Sequence, residues 1–172
     1  LFVEKSTLRL LKTITVPQMV EIKSVMSVDG RYLACLSKGQ NILVYNPLDG
    51  SLIGQKNLEH SIISALTMSN DGRKLVIGTI DGGVLGLNLP DLSLAFEIWP
   101  SSKKIQYLSI NGAGDRLACI DADQNIRVYD LSALQKILFF STEKDYGPIS
   151  QVIFGPQQNL VIAAEKRVYT RS

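Results

Sequence analysis

The apolar residues of this chain fall in short runs that recur at a fixed distance. Four of these runs read "YLACL", "KLVIGTI", "RLACI" and "NLVIAA". Their aligned leucines are Leu33, Leu75, Leu117 and Leu160, at intervals of 42, 42 and 43 residues. A regular period of about 40 to 45 residues indicates an array of similar structural units stacked on one another.

Two further sets of positions repeat in step with the leucines. A tyrosine or leucine follows each of the first three leucines by twelve residues: Tyr45, Leu87 and Tyr129. A glycine precedes each of the same three leucines by three residues: Gly30, Gly72 and Gly114. Tyr169 follows Leu160 by only nine residues, so the fourth copy is expected to have a shorter turn.

The second copy shows the expected secondary structure most clearly. Its segments "IISALTM", "KLVIGTI", "VLGLN" and "LSLAFEIW" have the length and composition of β-strands, and the first three are separated by turns that contain Asp-Gly. Asp-Gly pairs suit tight hairpins because both residues tolerate positive φ. No copy has apolar residues at helical spacing. The pattern therefore predicts four antiparallel strands in each copy.

The second strand of each copy separates two all-β architectures. A strand of a two-layer sandwich alternates apolar and polar residues, because one of its faces meets water. The second strands here are apolar at successive positions, so both faces of each sheet must be covered. Radially packed four-stranded sheets meet this requirement at a period of about 42 residues. We therefore predict an all-β fold, a β-propeller with four-stranded antiparallel blades.

Three long segments resemble the repeats of WD-repeat β-propellers. They read "VMSVDGRYLACLSKGQNILVYN", "LTMSNDGRKLVIGTIDGGVLGLN" and "LSINGAGDRLACIDADQNIRVYD", and the resemblance covers about residues 22 to 170. Where that family ends its third strand in Trp-Asp, this chain has Tyr or Leu, and the acidic residue is kept in Tyr129-Asp130.

The resemblance also implies a structural hydrogen-bond network in each blade. In the family this network joins a His before the first strand, a Ser or Thr on the second strand, an Asp in the next turn and the Trp. The second copy offers His60, Thr79 and Asp81 for these roles. The first copy offers Ser37, and the third offers Asp123.

The repeats divide the single domain of residues 1–172 into units. Complete blades are expected at residues 22–58, 62–99 and 104–141, and an incomplete blade without its outer strand at 149–170. Residues 1–14 contain "LFVEK" and "TLRLLKTI", which resemble the third and fourth strands of a preceding blade. The second of these could complete the last blade and close a ring of four. The first has no place in such a ring, so we favour an arc of a larger propeller, completed by the same chain or by another.

Composition and charge argue against several classes of function. Apolar residues make up 45% of the chain and charged residues 20%, which is typical of a folded globular protein. A net charge of +2 gives no strong electrostatic footprint for nucleic acid, and no apolar run approaches the length that spans a membrane. The start, "LFVEKSTLRL", has neither a Met nor a signal-peptide layout. This start favours an excerpt or a trimmed product of a longer chain.

The two cysteines, Cys35 and Cys119, occupy the same place in the repeat. Equivalent positions of different units lie beyond the reach of a disulfide, which is about 7 Å between Cα atoms. We therefore expect two buried, free thiols. The localisation that fits them best is intracellular, in the cytoplasm or the nucleus.

The residues offer little material for catalysis or for a metal site. His60 is the only histidine and is expected to have a structural role. Recurring aspartates are explained by turn chemistry: Asp29, Asp71, Asp81, Asp115 and Asp123. The segment "IDGGVLG" has neither the Lys-Ser/Thr nor the helix of a phosphate-binding loop. We expect no catalytic residue, no metal and no cofactor.

Large aromatic and basic residues gather in loops that the resemblance places on one face. These are the loops of residues 57–61, 99–104 and 142–148, beside the turns near Lys38, Asp81 and Asp123. Aromatic residues ringed by charges are common anchors of protein interfaces. The candidate contact residues are Trp99, Lys103, Lys104, Lys144, Tyr146 and Lys38. The alternative for Trp99 is packing between adjacent blades.

These features favour a non-catalytic interaction module that holds partner proteins together, as a subunit of a larger assembly. Fold-level analogy carries much of that hypothesis. One alternative is a propeller enzyme of the hydrolase or lactonase type, with its site at the central channel. Another is an RNA-associated scaffold in which Lys103, Lys104 and Arg127 contact phosphate; nucleic acid is a less favoured partner.

Overall fold

The structure, a computed structural model, consists of β-strands joined by turns and loops. It describes residues 2–3, 10–17, 23–38, 40–59, 61–141, 147–155, 159–165 and 167–171. The strands are numbered β1 to β17 in chain order, and no helix lies in the described residues. Accordingly, that part of the chain has no helix able to cross a membrane.

Four antiparallel sheets follow one another along the chain. The first contains β3 (Ser24–Met26), β4 (Leu33–Ser37), β5 (Asn41–Tyr45) and β6 (Leu52–Asn57). The second contains β7 (Ile63–Met68), β8 (Lys74–Thr79), β9 (Val84–Asn88) and β10 (Leu94–Ile98). The third contains β11 (Ile105–Ile110), β12 (Arg116–Asp121), β13 (Asn125–Asp130) and β14 (Gln135–Ser141). The fourth contains β15 (Ile149–Phe154), β16 (Leu160–Ala164) and β17 (Arg167–Arg171).

A separate two-stranded sheet joins β1 (Phe2–Val3) to β2 (Leu10–Lys12). These strands lie within the two N-terminal segments that resemble the end of a preceding blade. β2 pairs with β1, and β17 pairs with β16. The predictions of an all-β chain, of four-stranded antiparallel sheets and of four strands in the second copy are confirmed.

The register of the sheets explains the twelve-residue spacing in the sequence. In the first three sheets the aligned leucine is the direct cross-strand partner of the residue twelve positions later: Leu33 with Tyr45, Leu75 with Leu87, and Leu117 with Tyr129. In the fourth sheet the hairpin is shorter, and Tyr169 pairs with Ile162. Residues that pair directly across two strands stabilise a sheet together. Each leucine and its partner twelve residues later therefore recur with the same period.

The turn between the first and second strands repeats as well. In the first sheet the Ser27 hydroxyl accepts the N–H of Tyr32 at 3.0 Å and donates to Asp29 at 2.6 Å. In the second sheet Ser69 makes the same two bonds, to the N–H of Lys74 and to Asp71. The glycine of this turn has positive φ in all three four-stranded sheets, a conformation that glycine adopts without strain.

Alternate residues of the second strands β8 and β12 enter two different cores. On β8, Leu75 and Ile77 pack against the first sheet, whereas Val76 packs against the third. On β12, Leu117 faces the second sheet and Ile120 faces the fourth. All five side chains are fully buried. The successive apolar residues in the sequence therefore reflect sheets that are covered on both faces.

The first strands of the four sheets lie side by side and line one shared cavity. β3 contacts β7, β7 contacts β11, and β11 contacts β15. A cavity of about 450 Å³ is lined by residues 23–24, 64–67, 106–109 and 151–153. Each sheet therefore contributes its first strand to one shared inner surface.

Glutamine side chains link the turn of one sheet to the first strand of the next. The Gln40 side-chain oxygen accepts the N–H of Ile63 at 2.8 Å, and that of Gln124 accepts the N–H of Ile149 at 2.6 Å. Both glutamines have positive φ, of 60° and 63°. At the equivalent place in the second sheet stands Gly82, also at positive φ.

Candidate functional site

The loop of residues 99–104 is held against the turns of two sheets. A Cβ added at Gly82 would lie 2.1 Å from the carbonyl oxygen of Ser101, so only glycine permits this approach. The Ser101 hydroxyl donates to the Asp121 carboxylate at 2.8 Å, and the Lys104 carbonyl accepts the N–H of Ala122 at 2.9 Å. Contacts at both sides give this loop a fixed conformation.

Trp99 begins this loop and presents most of its ring to solvent. Its side chain is 60% exposed. One edge of the indole lies over Gly83, where an added Cβ would be 3.2 Å from the ring. One edge of the indole therefore rests on a turn of the sheet that Trp99 itself follows, and the residue as a whole is largely exposed.

Three of the predicted lysines lie on the same surface, and two of these share a cleft. Lys38, Lys103 and Lys104 are all exposed. Lys38 and Lys104 line a cleft of about 350 Å³ together with Lys23 and Ile80. We call the surface formed by residues 37–38, 40–41, 79–83, 99–104 and 121–125 the loop face. Lys144, Tyr146 and His60 lie outside the described residues.

The turn after β8 contains part of the hydrogen-bond network that the resemblance implies. The buried Thr79 hydroxyl donates to the Asp81 carboxylate and accepts the N–H of Gly83 at 2.9 Å. Asp81 itself is exposed. Leu87, at the position of the family's Trp, is fully buried in the core between the first and second sheets. Thr79 and Asp81 thus hold the turn on which Trp99 rests.

In the third sheet the equivalent turn is held by a buried carboxylate, Asp121. Arg127 donates to it at 2.6 Å, and the N–H of Asn125 and that of Asp123 each donate at 3.0 Å. Burial by itself raises the pKa of Asp121, but the hydrogen bonds from Arg127, Asn125 and Ser101 outweigh it and lower the pKa below its ordinary value. The Asp123 side chain is exposed at the tip of the turn.

The pair Tyr129-Asp130 closes β13 at the far end of the third sheet. The Asp130 carboxylate accepts hydrogen bonds from the hydroxyl and N–H of Ser132 and from the N–H of Ala133. These bonds lower its pKa and fix the turn before β14. Tyr129 packs against the core between the second and third sheets, and burial raises its pKa. Both residues shape the third sheet, and they lie far from Trp99 along the sequence.

The two cysteines are free and buried, as predicted. They belong to two different cores. Burial raises the pKa of the Cys35 thiol, and it raises that of Cys119 to about 12. Within the described residues, no cluster of His, Cys, Asp or Glu has a metal-binding arrangement.

We compared the sequence with protein-family models and with curated proteins. Neither comparison found a match. The function of the chain must therefore be argued from its own residues, above all from the exposed aromatic and the lysines of the loop face.

Sequence reasoning missed three residues of this face, Gln40, Asp121 and Gln124. It also missed Lys23, which lines the cleft. The repeat register itself pointed to Asp121, which falls 42 residues after Thr79 and 84 after Ser37. The glutamines occupy equivalent positions in two copies, but nothing local indicates that their side chains reach the next sheet. Lys23 has no sequence signal beyond its charge. The arrangement as a whole combines a fixed, exposed indole with a cationic cleft, which is chemistry for binding.

Proposed function

We propose that this chain is a non-catalytic protein-interaction module, formed by an arc of a WD-type β-propeller. Support for the propeller comes from four successive antiparallel sheets with a common period, each facing the next across its own core. The first strands of propeller blades line the axis of the propeller, and a cavity lined by the first strands of all four sheets is consistent with that arrangement. In this reading the four sheets are blades, and β1 and β2 are the outer strands of a preceding blade.

The loop face is the proposed contact surface, and Trp99 is its main anchor. One observation carries the proposal: a tryptophan that is 60% exposed stands on a loop that closely approaches the turn at Gly82 and is hydrogen-bonded to the turn at Asp121. A rigid loop loses little conformational entropy on binding, and tryptophan is among the residues that contribute most to interfaces. Lys38, Lys103 and Lys104 supply the polar rim, and Lys144 and Tyr146 are proposed to extend it.

Affinity capture with Trp99→Ala tests the proposal. The chain is immobilised, partner proteins are captured from a cell extract, and the recovered proteins are quantified by mass spectrometry. The variant should lose specific partners by about tenfold, since truncation of a central aromatic anchor commonly costs more than 1 kcal/mol. Denaturant unfolding of the variant checks that the fold is intact.

Phe139→Ala provides the matched control. Phe139 is also a large aromatic and is 50% exposed, but it lies on the outer strand β14. Its truncation should leave partner recovery unchanged. Equal recovery by wild type and by a folded Trp99→Ala variant would remove Trp99 and its loop from the proposed interface.

A further inference from the structure

The cleft on the loop face has a cationic rim and an aliphatic floor. Lys38 comes from the turn after β4, Lys104 from the segment before β11, and Lys23 from the segment before β3. The apolar part of the lining consists of Leu36, Ile62, Ile63 and Ile80. Ile62 and Ile80 are 53% and 43% exposed, so their side chains are accessible from solvent.

Lys38 and Lys104 carry positive charge at the rim of the cleft. Among the described residues that line it, none is Asp or Glu. Its neutral polar groups already have partners: Ser37 donates to the carbonyl of Pro17, and Gln40 accepts the N–H of Ile63. Among the described residues, neither Lys38 nor Lys104 forms an ion pair. A ligand that carries negative charge would therefore complement this surface.

The aliphatic floor of the cleft restricts the chemical class of ligand that can bind there. Single-stranded nucleic acids bind by stacking their bases on aromatic rings, and none of the lining residues that the structure describes is aromatic. Arg127, which could otherwise contact a phosphate, is bonded to Asp121. Leu, Ile and Val side chains of a peptide would instead bury apolar surface against Ile62 and Ile80.

We infer that the cleft binds an acidic peptide segment of a partner protein. Carboxylates of that segment pair with Lys38 and Lys104, and an aliphatic side chain between them rests on Ile62 and Ile80. This inference rests on the proposed interaction function and names the chemistry of the partner. Because the lysines are exposed, their charges contribute to specificity and association rate, and the binding weakens as salt is added.

Fluorescence anisotropy with two labelled peptide pools tests the inference. In the first pool Asp or Glu alternates with Leu, Ile or Val, and in the second Asn or Gln replaces the acidic residues. The full chain should bind the first pool at least about tenfold more tightly than the second. Equal affinity for the two pools would overturn the inference.

Charge-reversal variants test whether the peptide binds in the cleft. Lys38→Glu with Lys104→Glu should weaken binding of the acidic pool by at least about tenfold. The matched control is Arg73→Glu with Lys136→Glu, which changes the net charge equally at exposed positions outside the lining. The control should bind as the wild type does. An equal loss in both double variants would show a long-range charge effect and would contradict the site.

A second variant tests the aliphatic floor separately. Ile62→Ser with Ile80→Ser should weaken the acidic pool several-fold while leaving the salt dependence unchanged, because no charge is removed. Unchanged affinity would contradict the proposed seating of an aliphatic side chain. Both residues are partly exposed, so the fold should tolerate the change.

Two further outcomes separate this inference from its alternatives. A labelled oligouridylate that binds through Lys38 and Lys104, when the acidic pool does not, would overturn the inference in favour of nucleic acid. Partner capture that depends on Trp99, without binding of the acidic pool, would overturn the inference and leave the proposed interaction function standing.

Discussion

At position 121 a carboxylate stands where the two preceding copies have a hydroxyl, Ser37 and Thr79. The site is fully buried, and an unpaired charge there would be costly. Arg127 provides the compensating charge at 2.6 Å, from a position where the second sheet has Leu85. Asp121 and Arg127, which both differ from the residues of the other copies, thus form one ion pair. The effects of changing them on the free energy of unfolding should therefore be coupled.

A double-mutant cycle between Asp121 and Arg127 tests this coupling. Asp121→Thr and Arg127→Leu should each lower the free energy of unfolding by about 2 kcal/mol, because each leaves the other charge without its partner. The double variant restores the pair found in the second sheet, Thr79 and Leu85. It should therefore be more stable than the sum of the two single losses predicts. The expected coupling is about 1 to 3 kcal/mol by denaturant unfolding. Additive effects would contradict it.

The pH dependence of stability provides a check on the same pair. Because the pKa of folded Asp121 is lowered, its contribution is fully present above the unfolded pKa of about 4 and is lost as the pH falls through the folded value. The wild type should therefore lose more stability than the double variant between neutral pH and about pH 3. Parallel curves would show that the pKa of Asp121 is the same in the folded and the unfolded state, and would contradict the lowered value.

At the scale of the element, small residues decide how closely strands and side chains approach. Gly86 on β9 is the cross-strand partner of Phe96 on β10. The Phe96 ring lies over Gly86, where an added Cβ would be 2.1 Å from a ring carbon. The ring is buried in the core between the second and third sheets. The glycine is thus required by packing and not by its φ.

Gly86→Ala should destabilise the protein by about 2 kcal/mol, because the Phe96 ring must leave its position in the core. The control is Gly112→Ala, since a Cβ there would meet only the end of the Asn70 side chain, at 3.3 Å. That change should stay within about 0.5 kcal/mol of the wild type. Adding Phe96→Leu should recover part of the loss, and no recovery would argue against the steric explanation. Denaturant unfolding measures all three variants.

At the scale of the whole molecule, the sheets are joined by one apolar core per neighbouring pair and by a few polar links. The link from Gln124 to the N–H of Ile149 joins the third sheet to the first strand of the fourth. The bond from Gln40 to Ile63 joins the first sheet to the second in the same way. Such an array should open locally, at the interface that has been weakened.

Gln124→Ala should lower the free energy of unfolding by about 1 to 2 kcal/mol, because the N–H of the buried Ile149 loses its acceptor. Amide hydrogen exchange should accelerate in β15 and not in β7. Gln135→Ala, at the exposed start of β14, should change neither stability nor exchange. Faster exchange throughout the chain would contradict a local link between the third and fourth sheets.

Much of the local architecture could be predicted from the sequence, and the reason is periodicity. Equal spacing of Leu33, Leu75 and Leu117 predicted repeated sheets, and their partners at twelve residues proved to be direct cross-strand pairs. Successive apolar residues predicted that both faces of each sheet are covered, as Leu75 and Val76 show by entering different cores. These are properties of short segments, which obey local rules of strand pairing and burial.

The candidate site was predictable only in part. Trp99, Lys38 and Lys104 were candidates by residue type, but their exposure and the cleft that two of them share depend on how neighbouring sheets meet. The contacts that bring the loops together join residues about 20 to 25 positions apart. They are those of Ser101 with Gly82 and with Asp121, and those of Gln40 and Gln124 with the next sheet. The sequence by itself determined the strands, their pairing and their buried faces, because the repeat encodes them locally. Only the tertiary structure decided which loops converge, because that depends on the packing of one sheet against another.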